Sequence, residues 1–393
     1  MGKKSLWMGI ATFLLLTLVA DSQGIPTWNL NASALSTDLG VGDTPAHPLP
    51  LARLSPALTS QAIHIALRKV GDWELARSQP YSSQDWTFSA LYAGYMDASL
   101  ALHDSRYLAA MLQTGNTLDW KLGPRVAHAD DQAIGQTYLD LYRHYRQQRM
   151  MNPTRQQFDA LMKLPDDPQK PVWWWCDSLF MAPPVWARLS SVTGQLSYLD
   201  YMDHEWWITS KLLYDPQEHL YFRDASYLQK HESNGKKLFW SRGNGWVMAG
   251  LVRVLASMPE NYPTRNRYIE QYRQMAARVA SLQGADGLWR PGLLDASAYP
   301  LPEVSGSAFF IYSLAWGIRR GILDRATYLP VVQLGWKGLV SHIYVDGRLG
   351  CIQPIGAAPG DFQPASSYVY GVGAFLLAGS ELDRLIHDHP TSR

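Results

Sequence analysis

Apolar residues recur at helical spacing along most of the chain. Ile134, Tyr138, Leu141, Tyr142 and Tyr145 fall on one face of a 3.6-residue period, as do Tyr268, Tyr272, Met275, Ala276, Val279 and Leu282. The pattern predicts helix after helix, with starts near residues 56, 87, 105, 131, 154, 177, 197, 244, 265, 305, 325 and 368. Alternating strand patterns are scarce between them. About twelve helices with no dividing linker predict one all-α domain over residues 54–393.

The turns carry a weak repeat. YDPQEHLYFRD (214–224), GADGLWRP (284–291) and YVDGRLG (344–350) each place Asp or Asp-Gly before an apolar or aromatic residue and then a basic or glycine position. Recurrence of this kind predicts repeated helical hairpins. An (α/α)6 toroid of six hairpins would gather such turns at one end, around a central cavity. An open superhelix of hairpins is the competing architecture.

The ends change the picture. Lys3 and Lys4 precede an apolar run from Leu6 to Ala20, and Ser22-Gln23-Gly24 offers a small-x-small cleavage pattern. Residues 1–24 are therefore expected to be a signal peptide and the mature protein periplasmic or secreted, with an uncleaved anchor as the alternative. Residues 25–53 are rich in Pro, Ser and Gly and read as an extended lead-in. Removing Lys3, Lys4 and Asp21 takes the formal charge from +1 to 0, which argues against nucleic acid as a partner. No membrane contact is expected after cleavage. Only Cys176 and Cys351 are present, and no HExxH, CxxC or phosphate-binding glycine fingerprint occurs. Neither a metal nor a cofactor is expected.

Chemistry concentrates in PVWWWCDSLFMAPP (171–184), where Asp177 stands alone among Trp173, Trp174, Trp175, Phe180 and Met181. A carboxyl in an apolar wall loses hydration of its charged form, so it holds a proton to higher pH and can donate it. Aromatic faces suit the C–H faces of a sugar. The structural alternative is a helix N-cap. In FWSRGNGW (239–246), Arg242 is flanked by Trp240 and Trp246 and precedes an apolar helix, which suits a carboxylate-bearing ligand. A glycine-rich turn with Arg242 paired to a protein acid is the plainer reading. HADDQAIGQTYL (128–139) sets Asp130 and Asp131 at a helix start, where the dipole alone favours acids. In DWTFSALYAGY (85–95), Trp86, Phe88, Tyr92 and Tyr95 offer stacking surfaces or simply core. Glu303 in PEVSGSAFF (302–310) reads as a cap or a ligand group.

These segments, taken in order with LQGADGLWRPGLLD, QPIGAAPG and YGVGAFLLAGSEL, resemble glycoside hydrolase family 105, the unsaturated rhamnogalacturonyl hydrolases. The resemblance implies an (α/α)6 toroid and a substrate with an unsaturated uronic acid at its non-reducing end. It implies hydration of the C4=C5 bond rather than attack at the anomeric carbon. Asp177 matches the proton donor, and Asp131, with Asp130 as the alternative, matches a second acid. Arg242 and Trp246 match positions lining the uronate subsite, with Trp240, Trp174, Met181 and Phe88 as further candidate contacts. Arg223 stands where some members carry a histidine and suits a carboxylate, a sulfate or a second sugar, so ulvan-derived ends stand beside pectin-derived ones. The competing readings are an inverting glycosidase, which needs a second carboxylate about 6.5–9.5 Å from the acid, a polysaccharide lyase on the same fold, and a non-catalytic sugar-binding protein.

Overall fold

Short polar side chains, glycines and prolines set the helix boundaries. The computed structural model describes residues 41–388 apart from 166, 168 and 169; the expected signal peptide and residues 25–40 lie outside the described residues. The helices are α1 (Ser60–Ser78), α2 (Trp86–Ala101), α3 (Ser105–Thr117), α4 (Ala129–Gln132), α5 (Gly135–Tyr145), α6 (Asn152–Leu161) and α7 (Ser178–Met181). They continue as α8 (Pro183–Thr193), α9 (Ser197–Leu213), α10 (Ser241–Leu255), α11 (Arg265–Ser281), α12 (Val304–Arg319), α13 (Arg325–Val340) and α14 (Val369–His387). Asp85, Asp104 and Asp324 cap α2, α3 and α13 by accepting backbone N–H groups of the first turn. The helix expected near residue 177 is split. A short turn, α7, ends at Ala182, and Pro183-Pro184 restart the chain as α8, where a missing N–H costs nothing.

Setting the two four-residue turns aside leaves twelve helices in alternating outer and inner positions. The inner helices α2, α5, α8, α10, α12 and α14 each pack on the next, and α14 closes back onto α2. Closure selects the toroid over the open superhelix. The outer helices α1, α3, α9, α11 and α13 lie against this ring, and α6 joins it where Phe158 stacks on Trp186 of α8 at 3.9 Å. An inner helix has neighbours on every side and reads apolar all round; every residue of α10 is buried. Outer helices keep one polar face, and the periodic residues of α11, Tyr268 through Val279, are its buried stripe.

Two contacts set the diameter of the ring. Gly94 of α2 faces Gly373 of α14 so closely that a Cβ on Gly94 would lie 2.6 Å from the Gly373 carbonyl oxygen. At the other end of the inner helices a buried ionic network crosses the axis. Arg253 of α10 lies 3.4 Å from Asp97 and 3.7 Å from Asp140, Arg384 of α14 pairs with Asp97, and Arg188 of α8 with Asp140 at 3.0 Å.

The connections from inner to outer helices are short (102–104, 146–151, 194–196, 256–264 and 320–324). Those from outer to inner, apart from the first (79–85), are long, and all open at the end where the inner helices begin. The three turns of the sequence repeat lie in these long loops. Two small antiparallel pairs brace them. Strand β2 (Tyr214–Asp215) pairs with β3 (Leu220–Tyr221), and β1 (Gly42–Asp43) with β4 (Ser367–Tyr368). The described part of the lead-in is thus an extended strap laid across the last loop, held also by the Arg348–Asp43 ion pair.

Gly373→Ala is expected to push α14 off α2, because its Cβ would sit 2.3 Å from the Ala90 carbonyl oxygen. Overpacking against backbone costs about 1–3 kcal/mol. A clear fall in the denaturation midpoint checks it; an unchanged midpoint means that the two helices can separate freely.

Candidate active site

Asp177 sits where the third outer-to-inner loop turns into α7. Its residues Trp175 and Cys176 run beside the fourth loop: Trp175 bridges Asp224, and the Cys176 N–H donates to the Arg223 carbonyl at 2.8 Å. This pairing carries Arg223 to the acid, with Nε 3.8 Å from Asp177 Oδ2. Asp177 stands at the N-cap position of α7, yet its side chain makes no capping hydrogen bond. Its carboxyl meets the Cys176 thiol and the Arg223 guanidinium instead. Side-chain exposure is 13%. Burial pushes its pKa upward, opposed by the cations of Arg223 and then Arg242.

Arg223 is held from two directions, and one of its nitrogens is left without a hydrogen bond. Nη1 donates to Asp224 at 2.6 Å, the guanidinium lies 5.5 Å over the Trp174 ring, and Nε is buried with no hydrogen-bond partner. Trp174 is 47% exposed and presents its ring at the rim. An unfilled cationic donor beside a half-exposed indole is suited to an anionic sugar.

The adjacent acids have separate fates. Asp131, expected to be the second acid, accepts the Arg125 backbone N–H at 2.6 Å and the Arg125 guanidinium at 3.0 Å. It shapes the loop before α4. The acid whose proton affinity responds to Asp177 is Asp130, pushed up to about 7 by burial and then by the Asp177 charge. His128 packs against Trp175 in a tilted contact, 4.8 Å between ring centroids, and lies 3.7 Å from Asp130. Sequence periodicity could not choose between two consecutive acids, because the short turn of α4 decides which faces inward.

Several candidate contacts lie behind the wall. Arg242 is fully buried between the rings of Trp240 and Tyr370, at 4.4 and 4.9 Å from the centroids. Its Nη1 and Nη2 donate to the carbonyls of Gln353 and Pro354 at 2.6 and 2.7 Å. Trp240 gives its indole N–H to Gln353 Oε1. Trp246 is enclosed by Trp86, Phe180 and Phe309. Phe88 and Met181 are buried as well. These five residues offer no open face here. They build the wall and, through Arg242, add positive potential at Asp177. Glu303 is a cap, accepting from the N–H groups of Ser305 and Gly306.

Cys176 and Cys351 are both free, buried thiols. The Cys176 Sγ lies 3.4 Å from Asp177 Oδ2, and burial pushes its pKa well up, which suits no nucleophile. Among the described residues no group of His, Cys, Asp and Glu is arranged to hold a metal.

A closed ring of helical hairpins with a buried acid beside an unfilled arginine at its open end defines an (α/α)6 carbohydrate-active hydrolase. The chain belongs to Glycosyl Hydrolase Family 88, whose model matches residues 61–386. It is 38% identical, over 84% of its length and 92% of the relative's, to the unsaturated 3S-rhamnoglycuronyl hydrolase of Formosa agariphila. A solved structure named as a polysaccharide lyase matches with TM-score 0.80 and 33% identity, covering 85% of this chain and 99% of that one. A family 105 glycoside hydrolase of Clostridium acetobutylicum shares the fold, with TM-score 0.68, 19% identity, and coverage of 82% and 99%.

Arg223→Gln is expected to move the alkaline limb of kcat/KM to higher pH. Arg223 is the largest influence holding the Asp177 pKa down, so its loss lets the carboxyl keep its proton longer. A limb that stays in place, or moves to lower pH, refutes the coupling.

Proposed function

We propose that the protein removes the unsaturated uronic acid from the non-reducing end of lyase-generated oligosaccharides by hydrating its C4=C5 bond. The observation that carries this reading is the buried carboxyl of Asp177, which caps no helix, has its proton held by burial and faces the Arg223 guanidinium at 3.8 Å. Protonated Asp177 delivers its proton to C4. Positive charge develops at C5 and the ring oxygen, and the Asp177 carboxylate takes a proton from the water that adds at C5. One water is consumed and the acid is regenerated. The resulting hemiketal opens and releases the neighbouring sugar.

Asp130, whose proton is held up to about 7 by burial and then by the Asp177 charge, is the second acid of the pocket and in its ionised form stabilises the cationic transition state. Arg223 and the exposed face of Trp174 supply the anion-binding and stacking side of the pocket. Arg242, Trp240, Trp246, Phe88 and Met181 support the site from behind. The name of the Formosa agariphila relative supports a rhamnoglycuronyl substrate, a rhamnose joined to the unsaturated uronate, over the pectin-derived rhamnogalacturonyl end. The signal-like pattern of residues 1–24 supports work in the periplasm or outside the cell.

A lyase reading has its own support: the lyase-named structural relative, and Tyr227 near Arg223 as a candidate base. The two reactions have opposite optical signs. A hydrolase consumes the conjugated C4=C5 uronate, and a lyase creates it.

Incubation with unsaturated rhamnoglycuronyl disaccharide is expected to bleach the ultraviolet band of that conjugated system. Asp177→Asn is expected to lower the rate about 10²–10⁴-fold while substrate affinity persists. Growth of the band on intact polysaccharide would replace the hydrolase with a lyase. Binding without any optical change, equal in both variants, would leave a sugar-binding protein.

A further inference from the structure

Beside the acid lies a cavity of about 720 Å³ that the hydration step does not use. Its walls come from three places far apart in sequence: Thr44 on the N-terminal strap, Tyr227 in the fourth outer-to-inner loop, and the 353–368 segment of the sixth. Its volume falls within the range of about 300–1,000 Å³ common for small-ligand sites.

Two features place it next to the reaction centre. Tyr227 lines the cavity and donates its backbone N–H at 2.9 Å to the carbonyl of Asp224, whose carboxylate accepts from Arg223, the neighbour of Asp177. Gln353 and Pro354 also line it, and the carbonyls of both are held from behind by Arg242. The cavity thus shares its Tyr227 and Gln353–Pro354 walls with residues fixed by the two arginines of the site.

The wall has a definite chemistry. Phe362 brings a partly exposed ring and Tyr227 and Tyr368 largely buried ones, while Thr44, Gln353 and Ser366 bring hydroxyl and amide groups. Asp361 is the sole charged side chain among the lining residues, and it is exposed. A sulfate or a second uronate placed here meets no cation among the lining residues and shares the cavity with the Asp361 carboxylate; the Lys230 ammonium, 3.7 Å over the Tyr227 ring, lies outside the lining. A neutral pyranose finds rings for its C–H faces and hydrogen-bonding groups for its hydroxyls. The cation needed by an anionic sugar stands instead beside Asp177, as Arg223.

We propose that this cavity is a subsite for the saccharide that continues beyond the first sugar after the uronate, and that it selects an uncharged sugar there. This inference rests on the reading of the site as an unsaturated uronyl hydrolase. It adds that the preferred substrate is longer than a disaccharide and that its charge is confined to the sugars nearest the acid. The strap from the lead-in then has a purpose in the site, because Thr44 and its bond to Ser366 at 3.2 Å complete the far wall.

The test is binding calorimetry on Asp177→Asn, which separates recognition from turnover. The ligands are an unsaturated disaccharide, a trisaccharide with a neutral third sugar, and the same trisaccharide sulfated on the third sugar. The neutral trisaccharide is expected to bind about tenfold tighter than the disaccharide, and the sulfated one to lose most of that gain. Phe362→Ala should reduce the gain, and Asp361→Asn should narrow the gap between the two trisaccharides. Equal affinity for disaccharide and neutral trisaccharide, or tighter binding of the sulfated one, overturns the proposal. If Phe362→Ala does not fold, the three-ligand comparison and Asp361→Asn still decide. Loss of the ultraviolet band is read separately on the wild type, so a failed hydrolase assignment is visible apart from a failed subsite.

Discussion

Closure of the inner ring is the constraint on which the rest depends. Six inner helices run in one direction, so every helix that follows an outer helix begins at the same end of the barrel. The opposite end is tied by a buried network of Arg188, Arg253 and Arg384 with Asp97 and Asp140. Buried charges are tolerated only when fully paired, and one unpaired member is costly. The network therefore fixes the relative rotation of α2, α5, α8, α10 and α14 as well as their spacing. The Gly94–Gly373 contact lets the last helix close on the first. With one end tied by ions and short connections, the chain's length variation, and hence its chemistry, collects at the other.

That geometry explains why a single carboxyl is enough. The long loops bring three kinds of environment to Asp177: apolar wall, cation and second acid. The wall raises the cost of charge, and Arg223 with Arg242 lowers it again. The balance keeps a proton available without making the carboxylate inaccessible. Asp130, pushed up to about 7, makes a pair that titrates together. Arg242 shows how one residue can serve a site without touching a ligand. Stacked between Trp240 and Tyr370, it holds the backbone of residues 353–354 and adds potential at the acid.

Much of this was legible in the sequence, and the reasons are physical. Helix periodicity recovered the twelve long helices because inner and outer helices differ in how much of their circumference is apolar. The boundaries that slipped, at residues 131 and 177, are those where a four-residue turn precedes the main helix. Asp177 stood out because three tryptophans ahead of an acid are more than a cap requires. Arg223 is legible through the family resemblance, as the residue that stands where some members carry a histidine. The order of Asp131 and Asp130 is not legible, because consecutive residues on a short turn point in different directions and no period extends far enough to orient them; the structure pairs Asp131 with Arg125 and sets Asp130 within reach of the Asp177 charge. His128 and Tyr227 carried no signal of their own; both matter only through neighbours distant in sequence.

The sequence by itself determined the helical class, the hairpin repeat and the acid set among tryptophans. Each follows from local spacing or from the chemistry of adjacent side chains. Tertiary structure alone decided which of the aromatic and cationic residues face the cavity. Trp240, Trp246 and Arg242 read as ligand contacts in the chain and lie in the wall of this structure, because Tyr370 and the 353–354 segment cover Arg242 and Trp240 while Trp86, Phe180 and Phe309 enclose Trp246. It also decided that the lead-in strap reaches the sixth loop and lines a cavity beside the acid, since pairing of Gly42–Asp43 with Ser367–Tyr368 joins segments more than 300 residues apart, and no local pattern records such a contact.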